Sequence, residues 1–501
     1  MIEDFITSPS TPPNRHLILI LCTRSPIKTR MSISRLRAVL RNVCDETVWA
    51  AKQRKQAKNR GEQFDWKIYA MRVHFLGVEV DLTDLNSVYA MADRLVNGTV
   101  GTPDATTADG LKLPHGSPGT ASYSEDIVQD RWALNLGDGA GGYSRVWGWG
   151  LHDIRVPRID AVLLTAGIGG WTGINWPVAV WTILTNWVEA TTWPTFKLPD
   201  YGATVRKQRG SRTEESEEKQ SLLQAQQRED EPPLGKVFCA NVFGHYILAH
   251  QLMPLLSRPA PGANIGGKII WVSSAEPLKH HLNLDDIQAL KSHSPYEASK
   301  RLIDTMAITA VLPSVKKASA SYFETSDVVV VAKEGEEDTQ NVPLQKPTIH
   351  VVHPGIFVSD IIVLNAFLVT LWGLAFYVAR WLGSPWHTLS SDKAANVVAS
   401  IALQDHDELE EVEEHGQARC KWGSATTAGG KERILKTEVA GWGWNGKVGW
   451  QSEAGRLGRK RDAIDLTREG REEFEEQGAK AWSQMEALRR TWADILDVKK
   501  N

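Results

Sequence analysis

Cysteine is scarce in this chain: four occur in 501 residues, Cys22, Cys44, Cys239 and Cys420, and no two form a CxxC pair. A disulfide framework is therefore not expected, and the thiols read as reduced groups in a reducing compartment. Excess charge of one sign is also missing. The net charge is -3, which gives no global reason to expect a nucleic-acid partner. The N-terminus, "MIEDFITSPSTPPNR", carries acidic residues where a secretory signal has basic ones, and no apolar core begins before Leu17, so nothing there directs export. Metal chemistry lacks its usual marks. There is no HExxH, and His280-His281 and His245/His250 do not place two ligands on one helical face, so no metal site is expected. Long hydrophobic runs are absent except for one, "IIVLNAFLVTLWGLAFYVA" at 361 to 379, which is uncharged and approaches the ~20 residues needed to span hydrocarbon. Hydropathy leaves two readings of it open, a membrane-associated helix and a buried or lid helix of a globular enzyme.

What is present alternates. "HLILILCT" (16 to 23) and "RVHFLGVEV" (72 to 80) are short β-rich runs separated by a basic helical pattern from Ser32 to about Lys58, and a helix from Asp84 to Asn97 follows. The alternation resumes with "RIDAVLLTAG" (158 to 167), a helix around "KVFCANVFGHYILAHQLMPLL", "GKIIWVSS" (267 to 274), a helix from Ser294, and "TIHVVHPG" (348 to 355). Such a pattern makes an α/β fold with a parallel sheet covered on both faces. Polar, breaker-rich insertions interrupt it near 97–150, 200–233 and 314–346. The expected organisation is a core domain over 1–360, an apolar helix over 361–383, and a C-terminal extension over 384–501 packing on the core. In the extension a helix from about Ser391 to Leu403 precedes an acidic run and a Trp/Gly-rich patch. The last helix puts Phe474, Gly478, Trp482, Met485, Leu488, Trp492 and Ile495 on one face as a packing stripe.

The candidate chemistry lies in "SPYEASK" (294 to 300), where Tyr296 and Lys300 are one helical turn apart. Spacing alone is weak evidence, because nine tyrosines give about half a chance match to a lysine at i+4. Context strengthens it. The strand "IIWVSS" ends upstream in Ser273-Ser274, and Asn241 lies earlier in an apolar helix.

The order Asn241, Ser274, Tyr296, Lys300, with "LTAG", "ANVFGHYILAHQLMPLL" and "HPG" in sequence around it, resembles the short-chain dehydrogenase/reductase family, over about residues 16 to 360. The resemblance implies a Rossmann-like doubly wound sheet and a nicotinamide cofactor. It implies that Tyr296 donates a proton to a carbonyl oxygen, that Lys300 lowers the phenol's pKa and binds the nicotinamide ribose, that Ser274 hydrogen-bonds the carbonyl, and that Asn241 holds a water linked to Lys300. On the cofactor side it points to Arg24, whose cation after the strand 17 to 22 favours the 2'-phosphate of NADP(H). It also points to Asp81 near the adenine, to Thr165-Ala166-Gly167, and to Pro354, Gly355 and Ser359 near the nicotinamide amide. His353 reads as a strand-end residue and not as a catalytic base.

Two departures stand out. Thr165 replaces the Asn of the family's "NAG", and the family's opening strand and TGxxxGxG turn are not found in the chain. "MIEDFI" resembles the end of the helix that follows that turn, which implies that roughly two to three dozen residues of the pattern, including the first strand, precede Met1. Either a start placed too far downstream or a cofactor-free descendant acting as a non-catalytic scaffold accounts for this.

The stretches "LTAGIGGWTGINWP", "EPPLGKVFCANVFGHYILAHQLMPLL", "ARWLGSPWHTLS" and "VAGWGWNGKVGW" narrow the resemblance to the fungal 3-keto-steroid reductases of sterol C4 demethylation, nearly end to end. That implies NADPH-dependent reduction of a 3-oxo-4-methylsterol to its 3β-alcohol in ergosterol biosynthesis. The implied setting is the endoplasmic reticulum membrane or lipid droplet, with the catalytic domain facing the cytosol, among other C4-demethylation enzymes. A reductase of another lipophilic ketone shares the same residues. The five tryptophans at 171, 176, 181, 187 and 193 suit a large apolar substrate or a membrane interface.

Overall fold

The computed structural model describes residues 1–9, 11–12, 15–102, 112–114, 120–121, 143–146, 154–209, 231–259, 265–325, 329–331, 340–358, 366–404, 420–449 and 457–498. Most of the expected insertions at 97–150 and 200–233, and part of 314–346, therefore lie outside the described residues, as does the acidic run after Leu403. The chain divides into two compact units, Met1–Asp81 with Ser87–Ile159, and Leu82–Asn86 with Asp160–Asn501.

In the first unit, β1 (Leu17–Thr23) pairs in parallel with β2 (Val73–Glu79), from Leu17 opposite Val73 to Thr23 opposite Glu79. The crossover differs from the single helix expected over 32 to 58. It holds three helices, α1 (Pro26–Asp45), α2 (Val48–Asn59) and a short one at Trp66–Ala70. Capping chemistry sets these boundaries. Ser25 accepts from Lys28 N with Pro26 at the first helical position, and Thr47 accepts from Ala50 N and starts a second helix where the first has ended. On α1, Ile33, Leu40, Val43 and Cys44 are buried at helical spacing. The helix α3 (Leu85–Val96) buries Leu85, Val88, Ala92 and Leu95 in the same way.

The second unit carries a five-stranded sheet with β3 (Ala161–Leu164), β4 (Lys268–Val272), β5 (Thr348–His353), β6 (Lys421–Thr426) and β7 (Glu432–Thr437). Its spatial order is β7-β6-β5-β4-β3, parallel throughout except for the antiparallel β6/β7 pair. The result is a mixed α/β architecture with a parallel-dominated central sheet, Rossmann-like as expected. The strands β6 and β7 arise where the sequence showed a Trp/Gly-rich patch. Small residues make the insertion possible: a Cβ on Gly423 would lie 2.2 Å from His353 Nε2 on the neighbouring strand.

Around this sheet pack α4 (Trp176–Thr185), α5 (Gly244–Gln251), α6 (Pro295–Thr309), α7 (Ala366–Trp381), α8 (Asn396–Leu403) and α9 (Arg468–Ile495). Val397, Val398 and Ile401 of α8 form a core cluster with Ile270 and Val352 of the sheet. The helix α6 lies against β5 and is buried along its whole length, because α9 covers its outer side. Phe474, Gly478, Trp482, Met485 and Trp492 of the expected stripe are buried, while Leu488 and Ile495 are half-buried. Trp482 donates its indole N–H to Met306 O at 3.1 Å.

Candidate active site

The carboxyl ends of β4 and β5 and the first turns of α6 gather the candidate residues. Tyr296 is the second residue of α6, after Pro295 at the position where a missing N–H costs nothing. Its phenol is buried beside Ser274, which lies two residues beyond the end of β4. Two bonds fasten the helix to that strand: Ser273 Oγ donates to Lys300 O at 3.2 Å, and Lys300 Nζ donates to Val272 O at 2.8 Å.

Asn241 reaches the same place through a wide π-helical turn, Cys239–Phe243, ahead of α5. The turn leads into Gly244, whose missing Cβ would meet Leu82 O at 2.4 Å. The Asn241 carboxamide accepts from Ile168 N (2.7 Å) and donates to Ile168 O (3.0 Å) and Ser299 Oγ (3.1 Å). The side chain expected to hold a water thus engages three protein groups. Ser299 Oγ in turn donates to Tyr296 O at 2.6 Å, which links Asn241 to the first turn of α6.

Electrostatics differ from the simple Tyr-Lys pairing read in the sequence. Burial holds the Tyr296 phenol well above the ordinary phenol range, Glu276 adds to the rise, the Ser274 hydrogen bond opposes it, and Glu297 raises it further. The Lys300 ammonium lies 5.8 Å from the Tyr296 ring centroid and is itself pulled down to about 8, first by burial, with Asp304 opposing and Lys421 adding. Lys421 of β6 pairs with Asp304 at 2.6 Å, and its ammonium also donates to Ser274 O at 2.6 Å and Ser273 Oγ at 3.3 Å. An unexpected strand thereby supplies a buried cation that fixes the main chain at Ser274.

Thr165, Ala166 and Gly167 are exposed at the carboxyl end of β3. A Cβ on Gly167 would lie 3.0 Å from Asn241 Oδ1 and 3.9 Å from Lys300 Nζ. Pro354 and Gly355 follow β5; Gly355 has φ 73°, and a Cβ there would meet Trp386 O at 2.5 Å and Ser424 O at 2.7 Å, so only glycine fits. Ser359 lies outside the described residues. Arg24 and Asp81 belong to the first unit, Arg24 exposed just past β1 and Asp81 two residues past β2 with its N–H donated to Ser87 Oγ at 3.0 Å. His353 is fully buried: Gly355 N donates to its Nδ1 at 3.1 Å, which leaves Nε2 to donate to Thr437 Oγ1 at 2.7 Å. Burial holds it neutral, with Lys421 adding to that effect.

Four residues near Tyr296 lie outside the expected tetrad. Trp171 packs edge-on against the Tyr296 ring at 4.9 Å. Lys197, paired across a short antiparallel ladder with Ile174, salt-bridges both Glu276 and Glu297 and lies 4.3 Å from the Trp171 ring centroid. Glu297 stands beside Tyr296 in "SPYEASK", yet nothing in that heptapeptide reveals its partner. Long-range pairing through an insertion leaves no periodicity to read.

No family model matches the chain. A 3-keto-steroid reductase of Gibberella zeae is 34% identical over 515 aligned residues, covering 100% of this chain and 92% of that protein. The 3-keto-steroid reductase of Aspergillus fumigatus is 41% identical over 347 residues, 68% of this chain and 72% of the relative. That of Saccharomyces cerevisiae is 30% identical over 287 residues, 56% of this chain and 63% of the relative. Similarity that runs the full length, over the sheet-forming core and the C-terminal strands and helix alike, places the chain in the family of fungal 3-keto-steroid reductases.

Proposed function

We propose that the chain reduces the 3-keto group of a 4-methylsterol to the 3β-alcohol with NADPH, as a step of sterol C4 demethylation. The observation that carries this reading is the convergence of Ser274, Tyr296 and Lys300 at the carboxyl ends of parallel strands, with Lys300 Nζ anchored on Val272 O at 2.8 Å. Ligands of open α/β sheets bind at those strand ends. The residues there fit the nicotinamide end of a dinucleotide: the missing side chain of Gly167 opens a space bordered by Asn241 and Lys300, and Gly355 turns the chain tightly after β5.

When bound, the reduced nicotinamide supplies the hydride to the carbonyl carbon. Tyr296 gives its phenolic proton to the carbonyl oxygen, and Ser274 Oγ donates to the same oxygen as charge develops on it. A phenol held this high keeps its proton until an acceptor of comparable basicity, the forming alkoxide, is in place. The Lys300 cation stabilises the phenolate left behind, and Asn241, clamped on Ile168 and Ser299, holds the surrounding backbone in position. Arg24 supports the choice of NADPH over NADH by its charge, and Pro354 with Ser359 would border the nicotinamide amide.

The apolar segments support uptake of the sterol from a lipid surface. Among the described residues no helix is long and apolar enough to cross a membrane. The helix α7 exposes Phe367 (76%), Leu371, Leu374 and Trp381 (71%), and α4 exposes Val180, Trp181 (71%) and Leu184 (76%). The two segments are joined where Trp187 donates to Ala375 O at 2.9 Å and where Trp372 packs on the Ala179–Ala190–Phe196 cluster. Contiguous aromatic and aliphatic exposure of this kind suits an interfacial helix pair on the endoplasmic reticulum or a lipid droplet, near other C4-demethylation enzymes. The stretch that carries Trp181 outward also carries Trp171 onto Tyr296.

The test is NADPH consumption with a 3-keto-4-methylsterol in detergent micelles. Turnover is expected, and Tyr296→Phe should lower kcat by about 10²–10⁴-fold with little change in KM for NADPH. Arg24→Ala should raise the KM for NADPH and leave that for NADH near its starting value. Absence of turnover with every 3-ketosteroid, alongside retained binding to other sterol enzymes, would replace this reading with a scaffold.

A further inference from the structure

The salt-bridged cluster beside Tyr296 has no place in the proton and hydride steps above. Lys197 Nζ contacts Glu297 Oε1 at 2.7 Å and Glu276 Oε2 more closely still, and all three side chains are largely buried. The two carboxylates come from the two segments that must meet for catalysis: Glu276 lies in the loop just after Ser274, with its N–H donated to Ser274 Oγ at 3.3 Å, and Glu297 follows Tyr296 in α6. One ammonium therefore braces the serine loop against the tyrosine helix. It also faces two aromatic rings, Trp171 at 4.3 Å and Tyr296 at 5.3 Å from their centroids, and those rings touch each other. Trp193, four residues before Lys197, adds a further tie by donating its indole N–H to Ala275 O at 2.9 Å.

We propose that Lys197, with Glu276 and Glu297, is a positioning cluster for Tyr296: it ties the Ser274 loop to the catalytic helix, holds the phenol against Trp171, and makes the state of the tyrosine depend on the protonation of Glu276. This rests on the reading of Tyr296 as the proton donor.

Charge balance explains the last part. One cation faces two carboxylates, so with both ionised the cluster is net negative beside a phenol. Glu276 faces Lys197, Glu297 and the Tyr296 phenol; Glu297 faces Lys197 and His281, and His281 stands beside His280 and Arg301. Burial pushes Glu276 up to about 7, with Lys197 opposing and Glu297 adding. Burial opposes the charge on Lys197 and Glu297 too, but Glu276 and then Glu297 outweigh it at the lysine, raising it, and Lys197 outweighs it at Glu297, lowering it. The proton that can leave near neutrality is therefore on Glu276. Protonated, it relieves the phenol of an adjacent negative charge.

Full-length protein labelled with 3-fluorotyrosine tests this, with the Tyr296 resonance assigned by its loss in Tyr296→Phe. In the wild type the resonance should shift with a midpoint near pH 7. Glu276→Gln should abolish that step, and Lys197→Met should move it upward because the carboxylate loses its cation. In turnover, Lys197→Met should lower kcat on the order of 100-fold with KM for NADPH changed less than about threefold, the usual cost of a misplaced catalytic group. Lys197→Arg should recover most of that loss. A step near pH 7 that persists in Glu276→Gln overturns the proposal, as does a folded Lys197→Met enzyme with wild-type kcat. If the resonance behaves as expected in a protein that reduces no 3-ketosteroid, the cluster stands and the proposed reaction falls.

Discussion

Gly478 offers a sign test of how the catalytic helix is supported. An ideal Cβ at this position of α9 would lie 2.4 Å from Thr309 Oγ1, 2.6 Å from its Cγ2 and 2.7 Å from its Cβ. Comfortable carbon contacts begin near ~3.5 Å, so Gly478→Ala must separate α9 from α6 by about 1 Å. Overpacking of that kind costs ~1–3 kcal/mol, and the separation strains the 3.1 Å bond from Trp482 to Met306 O, worth ~1 kcal/mol. Alanine in place of glycine inside a helix returns ~1 kcal/mol. The expected net result is a loss of about 2 kcal/mol, read as a lower urea midpoint at unchanged m with tryptophan fluorescence as the probe. A Thr309→Ala partner should make the double variant less damaged than the sum of the singles. Because α6 carries Tyr296 and Lys300, kcat should fall further than KM rises. A Gly478→Ala protein stabilised by ~1 kcal/mol, as helix propensity alone requires, would refute the close approach.

Other outcomes follow from the buried charges and the apolar surface. Lys300 is pulled down to about 8 from an ordinary 10.5, so between those values the unfolded chain holds more protons than the folded one and this group's contribution to stability rises with pH. Activity should move the opposite way, declining as pH passes about 8 and the cation beneath Tyr296 is lost, and Lys300→Arg should shift that limb upward in a pH–rate profile. Lys421→Met leaves Asp304 buried without its 2.6 Å partner and should cost ~3–5 kcal/mol, whereas Lys421→Met with Asp304→Leu should recover most of it in the same unfolding assay. Trp181→Glu combined with Leu371→Glu should abolish flotation with liposomes and leave turnover of a micellar sterol close to wild type; unchanged flotation would count against the lipid-docking reading.

The sequence made the strand–helix alternation, and the places of Ser274 and Tyr296 within it, readable for one reason: β4, β5 and the start of α6 are short apolar runs that end in chemically distinctive residues. Local chemistry hid the rest. The polar pattern across 26–59 is continuous, and only the Thr47 cap divides it into two helices. Lys421–Thr426 consists largely of small or polar residues and lacks the β-branched run that announces a strand; it is a strand because the cleft beside β5 admits a residue with no side chain. Lys197 was illegible because its meaning depends on two carboxylates that approach it only in the folded chain. His353 ends its strand as expected, and the fold adds the reason, a pair of hydrogen bonds that use both ring nitrogens.

The position of β6 in the chain has a consequence for the order of events during synthesis. Ser274, Tyr296 and Lys300 leave the ribosome well before Lys421, the residue that fixes the main chain at Ser274. At ~5–20 residues per second, translation from Lys300 to Thr426 takes roughly 6–25 s. From the completion of β5 at His353 to the end of that interval β5 has a bare edge, and the apolar helix α7 is made before the strand that covers that edge. The exposed apolar helix is thus complete before the strand that fixes Ser274, so on the lipid-docking proposal the nascent chain would meet a bilayer before it is able to act on a sterol.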